Sequence, residues 1–411
     1  MLTPDEGYLD RRIVHEAGSL AARGWAVDIY PVVDAGLAYG DALPEGVRLL
    51  ASPRQVAPAS RSKRMLRMLR RRVAPAMPPL DRLVERVRYR VTDRAQALAA
   101  ANEAPLLSAG PYDLVFAHDV PVFPLASVLA ARWRAPLVCD LHEIFPEQDE
   151  HFTTDTARRY WRAVERHGIE AAAAILVVNR AVADYVHRTY APSVPVAVVH
   201  NSMPFVPRQA LDGRTIRDVY PIPPDRRVMV FAGSLRPYAN LETVIGGFDR
   251  AGLDGWVLAL LGGGPLRDDL VRLVRRRRLE GRVFIGERAD QAQLLSAVSS
   301  ADMGVLPYQA VGINHTIATP NKLFEYMQAR VPIATTRLPM IEEMLEGAGV
   351  SGFVDFSDEH ATGEGLRRFV DETLPSIDRQ ALEAAAVRYS WEREEDALLT
   401  AVDAAMSGVA R

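Results

Sequence analysis

The stretch "TPNKLFEYM", residues 319–327, sets a cation and a carboxylate at a spacing that could do chemistry. Lys322 is one of two lysines in a chain whose 49 basic residues are otherwise arginine. Pro320 suits the first turn of a helix and Thr319 its N-cap, which puts Lys322 in that turn and Glu325 one turn later on much the same face. The helix macrodipole disfavours a cation there, so a bound anion would account for it. Such an ammonium can meet phosphate oxygens while the carboxylate accepts from the vicinal hydroxyls of a ribose. The plainer alternative is a solvated Lys–Glu pair at i,i+3. Two other segments bear on the choice. "VFAGSLRPYANLETVI" places Gly233, Ser234 and Arg236 between a strand and a helix, and "WVLALLGGGPLRDDL" places Gly262, Gly263 and Gly264 at the same kind of junction. Glycines there let backbone N–H groups approach an anion, although each loop alone also reads as a simple turn.

These residues need a scaffold, and the periodicity supplies one. Short apolar runs alternate with helical stretches through both halves: "WAVDIYPVV", "YDLVFAHD", "APLVCDLHE", "AAILVVN" and "VPVAVVHN", then "RVMVFAGS", "WVLALLGGG", "RVFIGE", "ADMGVLPY" and "VPIATT". Continuous apolar strands between helices predict parallel sheets covered on both faces, here two doubly wound α/β domains. A length of 411 residues suits that division. The seam falls near "NSMPFVPRQ", giving domains 1–200 and 201–387 and a terminal segment 388–411. The helix-like "LDRRIVHEAGSLAARG" puts Leu9, Ile13, Ala17 and Leu20 on one face and stops at Gly24. A central first strand should precede it, yet only Met1 and Leu2 stand before the turn "TPDEG". The expectation is a natural start about ten residues upstream, or a strand reduced to a stub, because omitting a central strand leaves buried peptide groups unpaired.

Several functions are set aside by composition. No apolar run reaches the ~18–20 residues of a membrane span. "MLTPDEGYLDRR" lacks the apolar core of a signal peptide. The single Cys139 permits no internal disulfide and suits a buried strand in a reducing cytoplasm. "HE" at 142–143 is no zinc motif, because Pro146 occupies the next required position, and no cluster has metal-ligand spacing. The net charge of −3 conceals a local excess of positive charge in residues 61–94. That segment, with "RSKRMLRMLRRRV", reads as a solvated helical insertion, as a basic amphipathic helix lying on an anionic inner membrane face, or as a site for an acidic acceptor. Nucleic acid is a poor partner, since the segment is nearly free of aromatics and the whole chain is acidic.

"FAGSLRPYANLETVI", "LLGGGP", "ADMGVLPY" and "TPNKLFEYMQARVPIATTRLP" resemble the donor-binding domain of family-4 glycosyltransferases with the GT-B fold, in the subgroup that carries the PNKLFEYM motif. "YDLVFAHDVPVFPLASVLAARWRAPLVCDLHEIFPEQ" resembles their first domain, and "YSWEREEDALL" the helix that returns to it, so the resemblance spans nearly the whole chain. It implies two Rossmann-like domains facing each other across a cleft. The implied activity is transfer of a sugar from a nucleotide-diphosphate sugar to an acceptor hydroxyl. Configuration is retained by front-face substitution, with no metal and no other cofactor. The acceptor is unspecified; a lipid-linked one at the inner membrane face would suit the basic segment.

The resemblance assigns Glu325 to the ribose, Lys322 and Arg236 to the diphosphate, and Gly233, Ser234, Gly263 and Gly264 to the donor loops. Backbone near Ile285 and Gly286 would hold the base. His118 of "FAHD" matches an active-site histidine, with Gly7, Asp119, His142 and Glu143 on the acceptor side. The family's Glu eight residues before Glu325 is Ile317 here, so Asn314 and Asn321 are assigned to the sugar hydroxyls in its place. The family's cation six residues after the loop glycine is Ala239, for which Arg236 substitutes. Two other functions compete: a catalytically silent GT-B partner subunit, which the change at Ile317 would favour, and a sugar-nucleotide epimerase.

Overall fold

A computed structural model describes residues 1–4, 9–32, 43–50, 104–148, 155–286 and 291–409. Gly7 and the basic segment 61–94 lie outside the described residues. The chain divides into two compact units, one comprising Met1–His200 with Glu395–Arg411 and the other Asn201–Glu394.

Seven parallel strands form the sheet of the first unit: β1 Leu2–Thr3, β2 Val27–Pro31, β3 Val47–Leu49, β4 Val115–His118, β5 Leu137–Leu141, β6 Ala174–Val177 and β7 Val196–Val198. Their order is β3-β2-β1-β4-β5-β6-β7, which places the two-residue β1 at the centre. Leu2 faces Tyr30 on one side and Ala117 on the other, and Tyr30 N–H donates to Met1 C=O at 2.8 Å. Leu2 and Thr3 thus occupy the central position of the sheet. Helix Arg11–Ala22 follows it, with the Asp10 carboxylate accepting from the Arg12 backbone N–H at 2.9 Å. Its apolar stripe of Ile13, Ala17 and Leu20 is buried, and Gly24 takes φ +89° beyond its end.

The sheet of the second unit contains β8 Arg227–Ala232, β9 Trp256–Leu261, β10 Val283–Gly286, β11 Met303–Leu306, β12 Ile333–Thr335 and β13 Ser351–Phe353. These run parallel in the order β10-β9-β8-β11-β12-β13. Alternate residues point to opposite faces. Val228, Val230, Ala232, Val257, Ala259 and Leu261 enter one core, while Met229, Phe231, Leu258, Leu260, Met303 and Val305 enter the other. Both faces are covered, which is why these strands read as unbroken apolar runs. β3 and β13 escape the sequence reading because each is a three-residue edge strand with polar or small residues. No helix among the described residues is long and apolar enough to cross a membrane.

Candidate active site

The loops that follow β8, β9 and β11 end neighbouring strands, so they converge at one edge of the second sheet. Gly233 N–H donates to Leu261 C=O at 2.8 Å and Leu235 N–H to Gly263 C=O at 3.0 Å, stitching the first two loops together. The contact is close enough to demand glycine. Gly262 has φ +156°, and a Cβ on it would stand 1.9 Å from the Gly233 carbonyl oxygen. A Cβ on Gly233, at φ +145°, would stand 1.9 Å from Lys322 Cε. Lys322 therefore lies along the Gly233 backbone, in the loop to which the second glycine loop is stitched.

Helix Asn321–Gln328 delivers that lysine. Pro320 is its N-cap, one residue later than the Thr319 cap expected from sequence, because the proline takes an extended ψ of 139°. Lys322 still falls in the first turn, where unpaired N–H groups and the dipole favour an anion. Its Nζ approaches the Tyr308 hydroxyl at 3.5 Å and stands 5.5 Å from the Phe231 ring centroid. The helix is held in register by Tyr326, whose hydroxyl accepts from Ala232 N–H at 3.1 Å and donates to Val305 C=O at 3.2 Å. That ties it to the carboxyl ends of β8 and β11. Glu325 is buried one turn below Lys322. Burial, reinforced by Glu325, raises the Tyr308 pKa to about 12, so the phenol stays neutral.

The other donor-side candidates divide into two groups. Gly233, Ser234, Gly263 and Gly264 lie with Lys322 at the converging loops. Arg236 is exposed, and its Nε donates to Ser234 Oγ at 3.1 Å. Ile285 and Gly286 pair with Leu260 and Leu261, next to the second glycine loop. Asn321 is exposed at the first helical position, and half-buried Asn314 lies on the short helix Ile313–Thr316. Sequence reasoning missed Tyr308, Tyr238 and Tyr326. Tyr326 lies on the same helix as Lys322, while Tyr308 and Tyr238 come from separate loops whose spacing marks neither.

The first unit holds a second constellation at the ends of β4 and β5. Asp140 accepts from Arg12 twice, from Nε and from Nη2, both at 2.8 Å, and Arg12 Nη1 donates to Val199 C=O at 2.7 Å. His118 Nδ1 lies 3.1 Å and His142 Nε2 2.8 Å from Asp140 Oδ2. Asp119, at the unusual φ of +63°, accepts from the His142 backbone N–H at 3.0 Å and lies 3.3 Å from His142 Nδ1. His118 is fully enclosed, whereas the His142 side chain keeps 13% of its surface exposed. The sequence reading matched His118 to an active-site histidine; in the structure its side chain is fully enclosed and stacked on Phe116, with ring centroids 4.9 Å apart. Glu143 accepts from Gln148 Nε2.

Charges in this cluster are fixed by their surroundings. Burial drives the His118 pKa down to about 4, outweighing the pull of Asp140. Burial would also lower His142, but Asp119 and Asp140 raise it well above its ordinary value. Burial and Asp140 push the Glu16 carboxyl well up, although Glu16 Oε1 lies 3.0 Å from Arg12 Nε. Burial raises Asp119 to about 6 against His142. We expect ¹⁵N NMR at pH 7 to show His142 as imidazolium and His118 as the neutral Nδ1–H tautomer, still neutral near pH 5. The unfolded chain would protonate His118 near 6.5, so its contribution to stability is complete above that pH and is lost as pH falls towards 4. A charged His118 at pH 6 would contradict this electrostatic picture.

His118, Asp140 and His142 offer ligand atoms within 4.8 Å of one another, a proximity that sequence spacing did not reveal. The donor set suits a metal poorly. Both Asp140 oxygens already hold the Arg12 guanidinium, which a divalent cation would have to displace. Sequence reasoning missed Arg12 and Glu16, which fall off the apolar stripe by which that helix was read. Asp140 did leave a signal, as a lone carboxylate inside the apolar run "LVCDL".

Residues 9–202 match the family model of the glycosyl transferase 4-like domain, and residues 212–388 match that of the glycosyl transferases group 1. The chain belongs to the GT-B glycosyltransferases of the family-4 type. Its fold is that of sucrose-phosphate synthase from Thermosynechococcus elongatus, at a TM-score of 0.66 and 16% identity, over 98% of this chain and 96% of that one. HepE of Anabaena, solved in complex with UDP, gives a TM-score of 0.65 at 13% identity over 98% and 97%. The alpha-D-kanosaminyltransferase of Streptomyces kanamyceticus is 25% identical over 249 residues, which cover 57% of this glycosyltransferase and 61% of that relative's length.

Proposed function

We propose that this glycosyltransferase moves a sugar from a nucleotide-diphosphate sugar to an acceptor hydroxyl, with retention of configuration and without a metal ion. The observation that carries the reading is the Lys322 side chain lying along Gly233, at a helix N-terminus, where two glycine loops are stitched together. HepE, of the same fold, was solved with UDP and with UDP-glucose, which supports a nucleotide donor. In this reading Lys322 and the helix N–H groups take up the charge that develops on the departing diphosphate. Arg236 adds a second cation, and buried Glu325 accepts from the ribose. Each charge-assisted hydrogen bond contributes about 1.5–3 kcal/mol. Two of them fall short of the ~8 kcal/mol or more that enzymatic acceleration requires, so positioning must supply the rest.

On the acceptor side, Asp119, His142 and Glu143 keep part of their surface exposed, and Asp140 fixes the His142 imidazole. The Arg12–Asp140 pair supports the metal-free reading, because the guanidinium already neutralises the carboxylate that a cation at this cluster would need. The test is a panel of UDP-, GDP-, ADP- and dTDP-sugars, with and without sugar or lipid-linked acceptors, in EDTA. The expected result is acceptor-dependent release of one nucleoside diphosphate and a product with the donor's anomeric configuration. No release from any donor would make the chain a silent subunit. Isomerised donor without acceptor would make it an epimerase, and loss of activity in EDTA would end the metal-free reading.

A further inference from the structure

The three loops around Lys322, residues 233–240, 262–266 and 307–320, contain no aspartate or glutamate, and Arg236 is their one arginine or lysine. A row of rings runs through them instead. Tyr308, beside the Lys322 ammonium, has its ring centroid 5.8 Å from that of Tyr238, and Tyr238 lies 5.5 Å from His315. All three are half-buried, and Ile313 on the same turn as His315 is 42% exposed. The surface leading away from the ammonium thus offers ring faces, an aliphatic side chain and the neutral amides of Gln309 and Asn314.

A sugar attached to a diphosphate at Lys322 must rest on that surface. A hydroxyl pressed against a ring face loses its water and gains no acceptor, which is unfavourable. A methyl or acyl group in the same place gains from leaving water. A protonated amine would meet the like charges of Lys322 and Arg236. We infer that the donor sugar is neutral and carries an apolar substituent in place of a hydroxyl, as a 6-deoxy or N-acylated hexose does. The inference rests on the diphosphate reading of Lys322 and adds the sugar class to it.

Titration calorimetry separates the two. UDP, GDP, ADP and dTDP are first compared to find the base, and the hexose, N-acetylhexosamine, 6-deoxyhexose and hexosamine diphosphates of that base follow. The 6-deoxy or N-acetyl donor should bind about tenfold or more tighter than the parent hexose, with the hexosamine weakest. Tyr238→Ala should compress that ratio towards one, and His315→Ala should do the same. The ratio is taken within each variant, so a general weakening cancels. A preference for the hexose or the hexosamine would overturn the sugar inference while leaving the nucleotide reading intact. So would a ratio unmoved by both substitutions. Failure of every nucleoside diphosphate to bind would remove both readings.

Discussion

Lys322→Ala is expected to lower turnover about 100-fold or more, the scale seen when one preorganised charge-stabilising donor is removed. The reasoning is geometric. The ammonium is delivered by a helix that Tyr326 latches to β8 and β11, so its position is set before substrate arrives. No other lysine or arginine stands in the first turn of that helix to replace it. A companion variant separates charge from position. Gly233→Ala keeps every charge, but its Cβ would stand 1.9 Å from Lys322 Cε, at a φ that an L side chain resists. It should therefore lose activity on a similar scale by pushing the ammonium aside. Steady-state kinetics with the donor found in the panel, together with nucleotide binding by calorimetry, decide the matter. A Lys322→Ala enzyme that binds and turns over as its parent does would exclude the diphosphate role.

Arg12→Ala should destabilise the first unit by about 3–5 kcal/mol, because it removes the guanidinium that holds both oxygens of a buried carboxylate. Burial alone would raise the Asp140 pKa, but Arg12 and His142 hold it well below the ordinary range. At neutral pH that charge would persist, with His118 and His142 still against it. Its folded pKa lies below the unfolded value of 3.8, so the stability it contributes is present above that pH and declines as pH falls through the folded pKa. Arg12→Met combined with Asp140→Leu should recover much of the loss, since an apolar pair of similar volume removes the desolvation penalty. Urea titration followed by tryptophan fluorescence measures both. A loss below about 1 kcal/mol for Arg12→Ala would match a solvent-screened surface pair and contradict the buried network.

Much of this enzyme is legible in its sequence because burial and chain direction leave periodic marks. The runs around Val228–Ala232 and Trp256–Leu261 announce strands covered on both faces, and a parallel sheet then dictates where its loops gather. Lys322, Glu325 and the glycines after β8 and β9 were readable for the same reason, since each follows its strand or opens its helix. The short β1 was foreseen as a gap that the fold had to fill. β3 and β13 were not, because edge strands of three residues need no apolar run to be stable.

What the sequence by itself determined is the pair of doubly wound units and the strand ends at which Lys322 and the glycine loops stand. Those follow from local periodicity and the directional chemistry of strands and helix termini. Tertiary structure alone decided that Lys322 rests on Gly233, that Tyr238, Tyr308 and His315 form one row, and that Arg12 grips Asp140 with His118 enclosed against Phe116. Such contacts join residues far apart along the chain, and their energies depend on burial and distance, which only the packed molecule sets.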